Sequence, residues 1–352
     1  MSKKNVLVLF GGVSSEHEVS LSSAYNVLTN LDSQKYNVYP VGITKQGAWL
    51  YFSGDYEEIK NGSYLTSDLA VPCMLSPDRV NKGLYLLQHP VKVVDIDVIF
   101  PVLHGKNGED GTIQGLLQLA GIPYVGPHVA ASAVAMDKTL TKLVADNAGI
   151  PQAAWQLVRR GSLDTRLEST LDALEKRFAY PMFVKPAGTG SSVGVSKAKS
   201  RQTLAEALEE ASKFDDKVLV EEFICGKEIE VAVMGNESPV ASVCGEIDSG
   251  VEFYDYDAKY ITDTSVAYIP ARISEEASEQ VRDMAVKVYR AIGCQGLSRV
   301  DFFVTDEGKV VFNEINTIPG FTSISMYPKL FGASGIPYGQ LIDQLLELAL
   351  EA

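Results

Sequence analysis

Asp301, Glu314 and Asn316 sit in two short apolar segments, SRVDFFVT (residues 298–305) and VVFNEINT (310–317), on either side of Asp306-Glu307-Gly308-Lys309. Strand-forming runs around a polar, glycine-containing link predict a β-hairpin. Pairing Thr305 with Val310 sets Asp301 opposite Glu314 and Arg299 opposite Asn316, all on one face, because side chains alternate along a strand. Val300, Phe302, Val304, Val311 and Ile315 would then form the core face. Facing carboxylates repel by up to roughly 1 kcal/mol. A divalent cation reverses that sign, since hard ions take carboxylate and amide oxygens together with phosphate. A solvated polar face shows the same alternation; Arg299 and Asn316 beside the acidic pair favour the metal.

Lys185 ends a strand-like run before Pro186, and AGTGSSVGV (187–195) follows it. Small residues leave backbone N–H groups uncovered, which suits a flap over phosphates as well as an ordinary turn. Neither GxxxxGK[ST] nor a GxGxxG after the first strand occurs, so a P-loop and a dinucleotide fingerprint are excluded. Lys138 opens a helical segment, where a cation is locally disfavoured, and is a second phosphate candidate. Glu221, Phe223, Ile224 and Glu228 mix carboxylates with apolar surface, as an adenosine site or a plain strand end would. Glu16 and His104 each follow a strand, placed to meet a substrate ammonium or simply to cap a loop. YDYDAKY (254–260) has the composition of a lid that excludes water, or of an aromatic surface loop.

Such residues need a frame. Residues 5–10 and 97–103 read as buried parallel strands, and 20–31 and 112–120 as helices, which predicts a doubly wound α/β unit over 1–125. Its ligands would gather beyond the strand C-termini. Helices are expected at 137–148, 163–178 and 201–214, with a strand at 182–185. Short strands dominate from Val218 onward, then a helix capped by Ser274 and a last helix over 340–350.

At 352 residues the chain is too long for one core. A net charge of −14 disfavours nucleic acid, which binds clustered Lys and Arg. Four scattered cysteines suit a reducing compartment, and no apolar run reaches the length of a signal peptide core or a membrane span. A cytoplasmic protein without membrane or nucleic-acid partners is expected.

In their order and spacing, GGVSSEHEVS, HGKNGEDGTIQG, MDK, FVKPAGTGSSVGVSK, VEEFICGKEIEV, YDYDAKY, SRVDFF and NEINTIPGFTSIS resemble the D-alanine–D-alanine ligases of the ATP-grasp superfamily. The resemblance covers nearly the whole chain. It implies an α/β and α+β ATP-grasp fold: a Rossmann-like domain (1–125), a central lobe (126–217) and a C-terminal lobe with the metal and substrate site (218–352). ATP would lie against Lys138, Lys185, Ser192, Glu221, Phe223, Ile224, Glu228, Phe253 and Phe303. Two Mg²⁺ ions, replaceable by Mn²⁺, would sit on Asp301, Glu314 and Asn316. Glu16 would take the first D-alanine's ammonium with His104 nearby, and Lys259, Ser325 and the Met326 backbone the second's carboxylate. Arg299 and the Gly320 N–H would stabilise an oxyanion, while Glu16, Ser191 and Tyr260 route the attacking amine's proton. The implied reaction forms an acyl phosphate and then the dipeptide for peptidoglycan precursors, in a homodimer. Tyr260 stands where phenylalanine accompanies D-lactate use, so it favours D-alanine. D-lactate or D-serine ligation is the alternative within the family, and a dehydrogenase or nucleotide-sensing module the alternative outside it.

Overall fold

The computed structural model describes residues 3–190, 193–248 and 266–351. Its first strand, Lys4–Gly11, is apolar on both faces and enclosed on both. Val6, Val8 and Phe10 pack with helix His17–Asn30, while Leu7 and Leu9 pack with helix Thr112–Ala120. The strand pairs in parallel with Tyr36–Ile43 and Val98–Leu103. Beyond Tyr36–Ile43 the seven-stranded sheet continues antiparallel through Trp49–Phe52, Ala70–Leu75, Leu84–Leu86 and Lys92–Val94. The expected doubly wound unit thus has only three parallel strands; the antiparallel extension escaped the sequence because its strands are short and turn-broken.

A four-stranded sheet combines Ser196–Ala198, Met182–Pro186, Lys217–Glu222 and Trp155–Arg159, with helices Arg160–Arg177 and Arg201–Phe214 closing its core. Two segments lie differently from the sequence division. Lys217–Glu222, assigned to the third unit from Val218 onward, bonds on both edges inside this sheet. Helices Val129–Met136 and Lys138–Asn147, assigned to the second unit, give Ala131 and Ala145 to the core of the third. Composition cannot tell which of two antiparallel sheets a strand joins; long-range pairing decides it.

The last sheet runs Val266–Tyr268, Gly245–Asp248, Lys227–Met234, Leu297–Val304, Val310–Asn316, with Val240–Ala241 paired to Lys227–Met234. The hairpin sets Asp301 against Glu314 and Arg299 against Asn316, as expected. Near the turn the pairing is one residue off: Val304, not Thr305, meets Val310, and a bulge leaving Asn313 unpaired absorbs the difference. Val311 consequently shares the Phe303 side and is absent from the core of Val300, Phe302, Val304, Val310, Phe312 and Ile315, a correction to the expected core face.

One apolar cluster unites the first and third sheets. It contains Val6, Phe10 and Phe100 from the first, Ala232 and Leu297 from the third, and Tyr327, Leu341 and Leu345 from the closing helices Met326–Ala333 and Tyr338–Glu351. Leu345 is fully buried at this junction. Leu345→Ala should cost about 2–5 kcal/mol through lost burial and a residual cavity. Urea unfolding followed by circular dichroism checks it; a shift under 1 kcal/mol would mean that the junction is loosely packed.

Candidate active site

The second and third sheets face each other across a cavity of about 520 Å³. Each wall comes from a short stretch of regular structure. Lys185 lies on the strand Met182–Pro186 and Glu221 on its neighbour Lys217–Glu222. Lys138 is the first residue of a helix whose N-cap, Asp137, accepts from the N–H groups of Thr139 and Leu140. Phe223 stacks on Phe183 with ring centroids 6.0 Å apart, and Lys197 Nζ stands 4.0 Å from the Phe223 centroid. Ile224, Glu228, Phe303, Glu314 and Asn316 complete the lining among the residues expected from sequence.

Asp301 is buried beside this cavity, and both its oxygens are engaged. Arg299 forks onto it through Nε (2.8 Å) and Nη2 (2.7 Å), and Asn316 Nδ2 donates to Oδ2 at 3.0 Å. Arg299 Nε also lies 3.2 Å from Glu230 of the neighbouring strand. Burial alone would disfavour a charged guanidinium here; Asp301 and Glu230 outweigh it and raise the Arg299 pKa well above its ordinary value. Lys138 Nζ stands 4.0 Å from Glu314 Oε2 and donates to the Thr189 carbonyl at 2.7 Å, tying the Glu314 carboxylate to the glycine-rich loop.

A second group lies past Glu109, where the first sheet meets the third. Glu16 is buried, and a Cβ on Gly105 or Gly190 would stand 2.5 or 3.3 Å from its Oε2. Ser325 caps the helix Met326–Ala333 without bonding its own first turn. Instead its Oγ accepts from Thr322 N–H at 3.0 Å and lies 2.7 Å from Thr322 Oγ1. The Met326 N–H opens that helix, where backbone donors favour a carboxylate. The N–H groups of Ile318, Phe321 and Thr322 all have side-chain acceptors. Pro319 has no N–H, so among the described residues the Gly320 N–H alone in this run lacks a partner. A Cβ on Gly320 would approach Ser325 Oγ to 2.7 Å.

Family comparison now joins the geometry. The model described as "D-ala D-ala ligase N-terminus" matches residues 5–127, and that described as "D-ala D-ala ligase C-terminus" matches 144–347. The chain belongs to the D-alanine–D-alanine ligase family. A D-alanine–D-alanine ligase of Acetivibrio thermocellus is 52% identical over 99% of this chain and 96% of its own. The one from Caldicellulosiruptor bescii is 50% identical over 100% and 96%. Among solved structures, the VanG D-Ala:D-Ser ligase from Enterococcus faecalis has a TM-score of 0.91, 40% identity, and coverage of 99% and 100%. The Coxiella burnetii D-alanine–D-alanine ligase has a TM-score of 0.86, 37% identity, and coverage of 99% and 96%. The fold is ATP-grasp, with its α/β and α+β parts as described.

Two of the residues expected in a D-alanine–D-alanine ligase site are held by their neighbours. Glu221 lines the cavity, and its carboxylate is clamped by Lys185 Nζ at 2.6 Å and by Lys142. His104 has both ring nitrogens occupied, Nδ1 by the Ile318 carbonyl (3.1 Å) and Nε2 by Ser23 (3.1 Å). Ser191, Ser192, Phe253, Lys259 and Tyr260 lie outside the described residues, as does the expected lid at 254–260.

The sequence missed Lys142, Asn313 and Glu109. Lys142 was legible as the fourth residue after Lys138, on the same helix face. Asn313 meets Lys185 Nζ at 3.5 Å only because the bulge turns it inward, and no local pattern signals that. Glu109 accepts from the N–H groups of Gly105 (2.7 Å) and Ile318 (3.2 Å); burial and then the charge of Glu16 raise its pKa.

Burial pushes the Glu221 carboxyl up, yet the ammonium groups of Lys142 and Lys185 prevail and hold it at about 2. A depressed carboxyl contributes stability in full above its unfolded pKa of about 4.3, lost as pH falls toward 2. Glu221→Gln leaves the buried Lys142 ammonium without its carboxylate and takes from Lys185 its nearest one, so it should cost about 3–5 kcal/mol at pH 7. The acid limb of its stability curve should also flatten relative to wild type, as urea titrations between pH 7 and pH 3 will test.

Proposed function

We propose that the chain joins two D-alanines into D-alanyl-D-alanine at the expense of ATP, supplying a peptidoglycan precursor in the cytoplasm. The observation that carries this reading is the meeting of Glu314 and Asn316 with Lys138 and Lys185 on one cavity, with Asp301 paired to Glu314 behind them and the Gly320 N–H unbonded four residues past Asn316. ATP would place its adenine between Phe183, Phe223 and Ile224 and its ribose near Glu228, leaving the phosphates for the two lysines. Glu221, which lines the same cavity, also holds Lys185 in place. Lys142 supports the same carboxylate from beneath.

The donor types fit a hard divalent ion: Glu314 and Asn316 line the cavity, and Asp301, whose oxygens accept from Arg299 and Asn316, would turn an oxygen toward the ion. Among the described residues no group of three or more His, Cys, Asp and Glu could hold a metal by itself. Phosphate oxygens and water would therefore complete a Mg²⁺ or Mn²⁺ shell on Asp301, Glu314 and Asn316. Such ions, when bound, neutralise charge on the transferring phosphoryl group. The chain's own groups do the rest. Glu16 orients the first D-alanine through its ammonium. Ser325 and the Met326 N–H, with Lys259, receive the second D-alanine's carboxylate. Once the γ-phosphoryl has passed to the first D-alanine, the second's amine attacks the resulting acyl phosphate and phosphate leaves. Arg299 and the Gly320 N–H stabilise the oxyanion formed in that attack. Ser191 and Tyr260, with Glu16, form the route for the amine's proton, and Ser192 and Phe253 belong with the nucleotide.

All four cysteines are free, in keeping with a reducing compartment. A homodimer is expected from the family resemblance alone. The likeness to a D-Ala:D-Ser ligase makes D-serine the acceptor to test against D-alanine.

Phosphate release from ATP should require D-alanine, and mass spectrometry after incubation with mixed D-alanine, D-serine and D-lactate should find D-alanyl-D-alanine in excess. Release indifferent to D-alanine would end the ligase reading, and a dominant D-serine product would shift the acceptor. Asp301→Asn and Glu314→Gln should fold normally yet lose turnover by about 10²-fold or more, with weaker Mn²⁺ binding measured by electron paramagnetic resonance. Near-normal turnover and Mn²⁺ binding in either variant would remove the hairpin from the metal site.

A further inference from the structure

Residues 318–321 leave the strand Val310–Asn316 and run toward the helix Met326–Ala333, and their backbone is held by side chains from elsewhere. Ile318 N–H donates to Glu109, and the Phe321 carbonyl accepts from Tyr338 Oη at 2.6 Å. Two further bonds come from one small group. Phe321 N–H donates to Ser23 Oγ at 3.2 Å, and the same Oγ lies 3.1 Å from His104 Nε2. His104 Nδ1 in turn meets the Ile318 carbonyl. Ser23 and His104 belong to the first sheet's unit, on the helix His17–Asn30 and just after the strand Val98–Leu103.

The donors and acceptors of this ring can be ordered in one way. A carbonyl only accepts, so His104 Nδ1 carries the proton and Nε2 is left as an acceptor. The Ser23 hydroxyl fills Nε2, which leaves its oxygen to take the Phe321 N–H. Burial, outweighing the charge of Glu16, lowers the His104 pKa and favours the neutral ring that this order needs. Ser23 is fully enclosed, so water does not substitute for its hydroxyl. Gly320 lies between the two clamped residues, and its N–H is the unbonded one.

We propose that Ser23 is a positioning residue of the ligation step: with His104 it clamps Ile318 and Phe321 and so fixes the Gly320 N–H where the oxyanion develops. This rests on the reading of Gly320 given under Proposed function. A donor in an oxyanion site acts through its placement, and small displacements there carry large rate effects. A side chain from the first sheet thereby sets the aim of a backbone group on the third.

Ser23→Ala removes two of the ring's three hydrogen bonds while leaving the helix and its packing. It should lower kcat by about 10- to 100-fold with little change in KM for ATP or D-alanine, because ground-state contacts are untouched. Hydrogen exchange should quicken in peptides covering residues 318–325 and stay unchanged in the first sheet. Adding His104→Gln to Ser23→Ala should cost less than the product of the single losses, since both break one ring. Ser23→Cys keeps an atom in the gap and a weaker hydrogen bond, so its kcat should lie between alanine and wild type; it keeps the comparison open should the alanine variant not fold. Unchanged exchange at 318–325 in Ser23→Ala would overturn the clamp alone. Quickened exchange with wild-type kcat would overturn both the proposal and the role given to Gly320. Wild-type protein with no D-alanine-dependent phosphate release would instead mark a failure of the ligase reading.

Discussion

Buried carboxylates must be paired, and this site is built around satisfying that demand twice. Glu221 sits between Lys142 and Lys185, and Asp301 shares Arg299 with Glu230. An unpaired carboxylate at either place would be too costly to keep ionised out of water. Two of the cations that solve this problem, Lys185 and Arg299, are ones to which the proposed reaction gives a role. Lys185 stands upright in the cavity because Glu221 holds it, and Arg299 is fixed in plane by the fork onto Asp301. Electrostatic pairing and preorganisation are here one arrangement seen from two sides.

The same pairing explains why the chain can carry a net charge of −14 and still suit an anionic substrate. Long-range attraction is not needed where a few cations line a cleft of low dielectric. Lys138 and Lys185 face inward, and Lys197 lies over the Phe223 ring at the cavity edge. Surface charge then governs solubility and leaves recognition to the interior.

Much of this was legible before any coordinates. The hairpin pairing of Asp301 with Glu314 followed from an assumed turn register and strand alternation, and the helices Thr112–Ala120, Arg201–Phe214 and Glu275–Ile292 followed from period and caps. What stayed hidden was non-local. Expected pairing at the turn was off by one residue, and the Asn313 bulge restored it at the acidic pair, so a correct contact came from a register wrong at its start. Lys217–Glu222 and the helix Lys138–Asn147 join sheets that their own residues do not specify. His104 was visible as a histidine at a strand mouth, but its bonds to Ile318 and Ser23 depend on segments far apart in the chain.

That last distance says how the site is divided. Nucleotide-facing residues come from the second and third sheets, which meet across an open cavity. The substrate-facing loop 318–325 comes from the third sheet and is bonded to the first, with which it shares a dry core through Phe321, Tyr327 and Leu345. Phe321 packs edge-on to Phe100 of the first sheet, with centroids 5.6 Å apart, while its N–H reaches Ser23. One residue thus belongs both to the junction's apolar packing and to the polar ring beside Gly320. Dense packing resists small displacements, so the rigidity of that core extends directly to the neighbouring Gly320 N–H. Across the cavity the described lining is joined instead by polar contacts, Lys138 to the Thr189 carbonyl, Lys142 to Glu221 and Lys185 to Asn313. In the proposed reaction, an arrangement of this kind would keep the acyl-transfer geometry fixed beside a cavity large enough for a nucleotide.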